Sequence, residues 1–144
     1  MTIPAHPLSA NAENFSWLLS RFSEQTPGVR EVIAVSADGL LMSMSSGLDR
    51  NRGDQLAAIT SAIVSLASGA SRCYDLGETN KVVIDLERGY LMVSSISAGS
   101  ALGVLADRNA NLGTIAYEVA VFVNRASPVL SPQLIDELRR SLAY

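Results

Sequence analysis

The stretch DRNRGDQLAAITSAIVSLASGASRCYDL, residues 49–76, decides the fold because it predicts one long helix with two apolar sides. Apolar residues recur in it at alternating steps of three and four, which places them on one stripe of a helix. This stripe consists of Leu56, Ile59, Ile63, Leu66, Ala70 and Cys73. Beside it runs a second stripe of small residues, namely Ala58, Ala62, Ser65 and Gly69.

The two stripes leave two interpretations of the helix open. A helix that only covers its own sheet needs one apolar face. Small residues at this spacing let another backbone approach closely, as in paired membrane helices, and this favours contact with a second copy of the chain. The alternative is an Ala/Ser-rich core helix with one broad buried face. We expect Cys73, the single cysteine, to behave as a small core residue.

The segments around the long helix predict five strands and three further helices. A short amphipathic helix carries Phe15, Leu18, Leu19 and Phe22 and ends before the breaker at residues 26–28. Strands are predicted over residues 29–36, 40–45, 80–86, 89–96 and 100–106. Asp38 and Gly39 predict a tight hairpin turn in which both residues have positive φ. A third helix follows residues 109–111, and Ser131-Pro132 opens a last, short helix.

The order α-β-β-α-β-β-β-α plus a C-terminal helix indicates an α/β fold. The joins between the last three strands are too short for parallel crossovers, so the five-stranded sheet is predicted to be mostly antiparallel and sandwiched by helices. Residues 1–10 are predicted to be a flexible tail, 11–126 the domain, and 127–144 an appended helix. We expect that helix to dock on its own domain, on the side of the first and third helices; the alternative is that it docks on a partner.

Catalytic and metal-binding constellations are missing from the sequence. The one histidine, His6, lies in the Pro-rich N-terminal tail, so no Ser-His-Asp or Cys-His arrangement has a positioned base. A phosphate-binding GxxxxGK[ST] loop is also missing. One Cys and one His make a zinc site improbable. We therefore expect no enzyme activity, no cofactor and no metal.

The composition and net charge limit the classes of partner that the protein can bind. The 144 residues are 48% hydrophobic and 17% charged, which favours an oligomer or a partner that covers apolar surface. The net charge is -3 and Lys81 is the only lysine, so we expect no nucleic-acid partner. The N-terminus lacks the features of a secretory signal, and the apolar stretch 115–123 is too short to span a bilayer. We expect no membrane span and a cytoplasmic location.

Two runs of sequence resemble the roadblock/dynein-light-chain domain family, in its bacterial branch. They are GVREVIAVSADGLLM, residues 28–42, and GSALGVLADRNANLG, residues 99–113, and the Ala/Ser-rich helix and strand triplet lie between them. The resemblance covers about residues 15–125. It implies a roadblock, profilin-like fold and a non-enzymatic homodimer. It also implies a small Ras-like GTPase as partner, in some members with acceleration of GTP hydrolysis, and a sensor-kinase-like protein as a further partner.

The resemblance also implies which residues meet in the homodimer. In the family's usual form the long helices pair antiparallel, and the first strand of the triplet pairs with its copy. The interface would then contain Ala58, Ile59, Ala62, Ser65, Leu66, Gly69, Lys81, Val82, Val83, Ile84 and Asp85.

Two further questions stay open at the level of sequence. Arg50 and Arg52 form a local basic pair near the start of the long helix; they either contact an acidic partner or form a solvated helix start. The alternative function is a small-molecule-binding sensory domain, since small sheets flanked by helices also form pockets. Uncovered apolar surface inside a cavity would favour the sensor, and on the helix and edge strand it would favour the dimer.

Overall fold

A computed structural model describes residues 9–142 of the chain. The predicted flexible tail lies outside the described residues, apart from Ser9, which caps the first helix, and Ala10, which begins it. The elements are α1 (Ala10–Gln25), β1 (Val29–Ser36), β2 (Leu41–Met44), α2 (Arg50–Cys73), β3 (Lys81–Leu86), β4 (Gly89–Ser97), β5 (Ser100–Asp107), α3 (Leu112–Ala126), a 3₁₀ turn (Ser127–Val129) and α4 (Pro132–Ser141). The predicted order of elements is confirmed.

The five strands described form one sheet in the order β2-β1-β5-β4-β3, and every neighbouring pair is antiparallel. Strands β2 and β3 are its edges. Helix α2 connects them, so it carries the chain from one edge of the sheet to the other. The predicted antiparallel sheet flanked by helices is therefore correct.

Each face of the sheet has its own apolar core. On one face α1 and α3 pack together, and the rings of Phe15 and Phe122 lie 5.9 Å apart in an edge-to-face arrangement. On the other face α2 packs Leu56 and Ala57 against Ile33 and Val93 of the sheet. The sheet is thus the middle layer of a three-layer domain.

The inward side of α2 differs from the predicted stripe. Its buried residues are Gly53, Leu56, Ala57 and Thr60. Ile59 and Leu66, assigned to the same stripe as Leu56, are 50% and 75% exposed, and Cys73 is also exposed, so its expected place in the core is wrong. Because the neighbouring stripes of this helix all consist of apolar or small residues, periodicity alone does not show which stripe faces the sheet.

The hairpin between β1 and β2 forms by a different turn from the one predicted. Gly39 has φ +84°, but Asp38 does not have positive φ. The Ser36 carbonyl accepts from the Gly39 amide at 3.0 Å, and the Ser36 amide donates to the Leu40 carbonyl at 2.9 Å. This is a three-residue loop, in which only the glycine needs the left-handed region. The Ser36 hydroxyl donates to the Asp38 carboxylate and holds the pKa of Asp38 below its ordinary value.

Helix α4 docks on its own chain beside the edge strand β2, as expected. Leu134 and Leu138 are buried in the core that contains α1 and α3, whereas Leu142 packs on the core beneath α2. Polar contacts add to this packing: Glu137 accepts hydrogen bonds from the amide and hydroxyl of Ser9 at 2.7 and 2.8 Å. The last helix therefore reaches both apolar cores at the β2 edge.

Most of the apolar surface of α2 is not covered by its own chain. By length and composition alone this helix could cross a membrane. Only 17% of its most apolar stretch is buried. Core helices of soluble proteins pass the same test, so it does not identify a membrane segment. The low burial shows that much of the apolar surface of α2 is exposed in the single chain.

The contact that seats α2 on the sheet is made between Thr60 and Gly103. A Cβ at Gly103 would lie 2.6 Å from Thr60 Oγ1 and 3.3 Å from Thr60 Cγ2 and Ile33 Cγ1. Thr60 is fully buried, and its hydroxyl has no hydrogen-bond partner within residues 9–142. The close approach of helix to sheet at this point thus depends on the missing side chain at position 103.

Gly103→Ala is expected to destabilise the fold by about 1–3 kcal/mol, because the β-branched Thr60 cannot rotate freely away from the new methyl group. Thr60→Ala removes the two threonine atoms that it would meet. The double variant should therefore be more stable than the sum of the two single changes predicts, by about 0.5 kcal/mol or more. Denaturant unfolding of all four proteins measures this coupling, and strict additivity would contradict the proposed contact.

Leu138→Ala is expected to destabilise the domain by about 2–5 kcal/mol, because it opens a cavity where a fully buried side chain packs. Gln133→Ala, on the exposed side of the same helix, is the matched control and should change stability by about 0.5 kcal/mol at most. Thermal unfolding compares the two variants. Equal melting temperatures would show that α4 does not dock in solution.

Candidate functional site

The outward side of α2 is a surface of small and apolar residues. We call this surface the outer face; it consists of Ala58, Ile59, Ala62, Ser65, Leu66 and Gly69. All of these are exposed except Gly69, which is partly exposed. A Cβ at Gly69 would meet no atom within 4 Å, so a second helix could approach here without hindrance from the chain itself. The residues of the predicted small stripe therefore do lie on one outward face.

Strand β3 is an open edge of the sheet. Within the described part of the chain it pairs only with β4, from Lys81 opposite Ser94 to Leu86 opposite Gly89. Lys81, Val83 and Asp85 are exposed. The backbone groups on the other side of β3 can therefore pair with a further strand.

The outer face and the β3 edge are joined through one apolar cluster. Val82 and Ile84 of β3 are half-buried and pack in the same cluster as Ile63 and Val64 of α2. Val83 is 41% exposed at the edge. The residues predicted for the dimer interface thus lie on two elements, α2 and β3, whose half-buried side chains share one core. That these residues form a dimer interface stays a prediction.

The ion pair at the end of β3 holds the edge strand to the rest of the domain. Asp85 accepts from Arg108, whose guanidinium lies 4.9 Å above the ring of Tyr90. The hydrogen bond and the charge of Asp85 raise the pKa of Arg108 above its ordinary value. This pair sits on the surface and orients β3 without using its free edge.

Arg50 and Arg52, the predicted partner-binding pair, are placed differently. Arg50 is held by its own chain: its Nε lies 3.0 Å from Asp54 Oδ1, and its guanidinium donates to the carbonyl of Leu142 after α4. The side chain of Arg52 is exposed and makes no ion pair among residues 9–142. Only Arg52 is therefore available to a partner without a change in the domain.

A second feature, which the sequence reasoning missed, is a polar cleft of about 950 Å³ beside the C-terminal half of α2. We call it the serine cleft. Its walls are α2, the start of β3, the β4–β5 hairpin and one side of α3. The serines that line it are Ser36, Ser61, Ser65, Ser68, Ser71, Ser94, Ser95, Ser97 and Ser100. Their helical spacing in α2 was the available signal.

The site offers surfaces for binding and no visible machinery for catalysis. Among residues 9–142 no three His, Cys, Asp or Glu side chains are grouped closely enough to hold a metal ion. His6 lies outside the described residues. What the geometry presents is an apolar interaction surface, an exposed arginine and a polar cleft.

Comparison with known proteins agrees with this geometry. The Roadblock/LC7 domain family model matches residues 15–106. A comparison with curated protein sequences finds no match. Among solved structures, the Roadblock/LC7 domain from Streptomyces avermitilis is 35% identical, covering 78% of this chain and 94% of that chain with a TM-score of 0.73.

Two more distant structures share the fold. MglB from Myxococcus xanthus is 16% identical, covering 81% of this chain and 94% of that chain with a TM-score of 0.75. Profilin from Schizosaccharomyces pombe is 11% identical, covering 81% and 99% with a TM-score of 0.61. At these identities the likeness concerns the arrangement of helices and strands, and it confirms the expected profilin-like fold.

Proposed function

The chain belongs to the Roadblock/LC7 domain family, and on this premise we propose that it is a non-enzymatic, homodimeric regulator of a small Ras-like GTPase. The observation that carries the proposal is the uncovered surface formed by the outer face of α2 and the open edge of β3. A domain that leaves so much of a long apolar helix uncovered needs a protein partner to cover it.

A second copy of the chain fits both parts of this surface. A two-fold axis brings the same patch of each subunit together, and it pairs an edge strand antiparallel with its own copy. The same axis sets the two α2 helices side by side, where Ala58, Ala62 and Gly69 permit close approach. A helix of 24 residues is about 36 Å long, which supplies the length that a stable interface of about 1,200–2,000 Å² requires.

The small GTPase is inferred from the family resemblance together with the chemistry of the chain. No phosphate-binding loop is present in the sequence, so nucleotide chemistry would have to be supplied by a partner. Arg52 is exposed at the start of α2 and offers a contact for an acidic surface of that partner. Acceleration of GTP hydrolysis, the sensor-kinase-like partner and the cytoplasmic location stay predictions.

The exposed apolar side chains on α2 and β3 support this function over the alternative of a small-molecule-binding sensory domain. Ile59, Leu66 and Val83 expose their side chains on the helix and the edge strand. The serine cleft is lined by apolar residues such as Ile96 and Val119 as well as by serines. The exposed apolar side chains of α2 and β3 support the homodimer, which stays a prediction.

Gly69→Arg is expected to convert the dimer to a monomer without unfolding it. The arginine meets no atom of its own chain, and it replaces a glycine inside a helix, which favours the helix by about 0.8–1 kcal/mol. Sedimentation should give twice the chain mass of 15.3 kDa for the natural protein at micromolar concentration and the single mass for the variant.

Tyr117→Arg is the matched control for this prediction, since Tyr117 is 67% exposed on α3, away from α2 and β3. This variant should stay dimeric. A natural chain that sediments as a monomer at micromolar concentration would overturn the proposed homodimer, and so would a Gly69→Arg variant that keeps the dimer mass.

The full-length chain is expected to bind a Ras-like GTPase from its own organism in one nucleotide state more tightly than in the other. Binding to the GTPase loaded with GDP or with a non-hydrolysable GTP analogue can be measured by titration. Arg52→Glu should weaken it by about tenfold or more if this residue contacts an acidic surface. Arg88→Glu is the control, as another exposed arginine outside α2.

Two results would contradict the proposal at different points. Equal or undetectable binding in both nucleotide states would contradict the proposal that a Ras-like GTPase is the partner. Steady phosphate release from GTP by the purified chain alone would remove the non-enzymatic role, since the sequence offers no group to position the phosphates.

A further inference from the structure

The serine cleft lies beside the C-terminal half of α2, which is less buried than its first half. All the buried residues of α2 lie between Gly53 and Thr60, and beyond Thr60 the side chains of Ile63 and Val64 are half-buried against the sheet. The cleft of about 950 Å³ is also lined by Val119 of α3, which packs on the opposite face of the sheet. The cleft therefore extends around the end of the sheet, from α2 to α3.

Hydroxyl groups line both walls of the cleft between α2 and the sheet. Ser61, Ser65 and Ser68 line it from the helix, and Ser95 and Ser97 line it from the end of β4. Each hydroxyl can donate one hydrogen bond and accept two, so these walls suit a ligand that is itself rich in hydroxyls. Ser61 already donates to the Ala37 carbonyl at 3.4 Å, and Ser97 shares a hydrogen bond of 2.6 Å with Ser100, so a ligand would bind mainly the remaining hydroxyls. An apolar ligand would leave those hydroxyls without partners, which costs free energy.

The sheet wall adds backbone groups to these hydroxyls. The β3–β4 ladder begins with Lys81 opposite Ser94, but β4 continues to Ser97 and pairs there with β5 alone. The register of that pairing shifts between Ser95 and Ser97. Such irregularities at sheet edges often lie next to binding sites. The outer backbone groups of residues 95–97 therefore lack a strand partner within the described residues.

Two cations also line the cleft. Arg72 lies in the last turn of α2, and Lys81 is the first residue of β3. Neither side chain makes an ion pair among residues 9–142. Glu78 is the carboxylate that lines the same cleft. An arginine fork and a lysine ammonium are the groups that bind phosphate in proteins.

From these features we propose that the serine cleft binds a small phosphorylated polyhydroxyl molecule of the sugar-phosphate class. Arg72 and Lys81 bind the phosphate, and the serines of α2 and β4 bind the hydroxyls. The site shares Ser65 and Lys81 with the predicted dimer interface. It uses neither Ile59 nor Arg52, so this inference is independent of the contact proposed for the GTPase.

The test uses glucose 6-phosphate and ribose 5-phosphate as probes, in calorimetric titrations of the full-length chain. Glucose and inorganic phosphate are the matched probes that lack one half of the ligand. At least one sugar phosphate should bind about ten times more tightly than either half, because one charge-assisted contact exceeds the 1.4 kcal/mol of a tenfold change.

Two variants locate the binding. Arg72→Gln should weaken binding of the sugar phosphate by about tenfold, and Ser95→Ala should weaken it less, because a neutral hydrogen bond is lost. Arg88→Gln changes an exposed arginine that does not line the cleft and should leave binding unchanged. Binding that survives Arg72→Gln would overturn the proposal, as would inorganic phosphate binding as tightly as the sugar phosphates.

The Ile59→Arg variant separates the cleft from the dimer, because Ile59 lies on the outer face and does not line the cleft. Sugar phosphate should bind this variant and the natural chain alike. Binding to the variant alone would mean that the second copy fills the cleft, and it would overturn the proposal while leaving the homodimer intact. Failure of both proteins to bind either sugar phosphate would also overturn it.

Discussion

The close contact between Thr60 and Gly103 is the constraint on which the rest of the structure depends. It brings the first half of α2 against the centre of the sheet, because Gly103 of β5 has no side chain to hold the helix away. Leu56 and Ala57 then pack into the core on that face. Beyond Thr60 the helix is less buried, and this part of it carries the outward apolar side chain of Leu66 and lines the serine cleft. One glycine thus determines how α2 divides its surface between core, partner and solvent.

The two edge strands of the sheet differ in whether another part of the chain lies beside them. At β2, helix α4 inserts Leu134 and Leu138 into one core and Leu142 into the other, so the edge is flanked by the chain's own C-terminal helix. At β3 the strand is left open, and its exposed side chains include the apolar Val83. An uncovered edge would otherwise be a site of uncontrolled pairing. A domain with one covered and one open edge can extend its sheet in one direction only, which suits a closed pair better than a fibre.

The sequence predicted the helices and strands correctly, but it did not predict which side of α2 faces the sheet. Short joins between strands are local features, so the order of elements along the chain and the antiparallel pairing of the last three strands were readable from the sequence. The inward face of α2 was not, because a helix of alanines, serines and aliphatic residues has no polar face to mark the outside. Cys73 was misplaced for that reason. The serine cleft was missed because the helical spacing of the serines in α2 does not show which residues of β4 and α3 lie opposite them.

Helix α2 carries three kinds of surface along its length. Because these surfaces are far apart, a substitution can change one of them without changing the others. Arg52 and Arg72 are twenty residues apart, about 30 Å along the helix, and Ile59 faces away from the cleft that Arg72 lines. Effects of substitutions at such distances add independently unless a structural change links the sites. Ser65 is the exception, since it belongs to the outer face and also lines the cleft. Any coupling between dimer formation and ligand binding should therefore pass through that part of α2, and by linkage each would change the affinity of the other by the same factor.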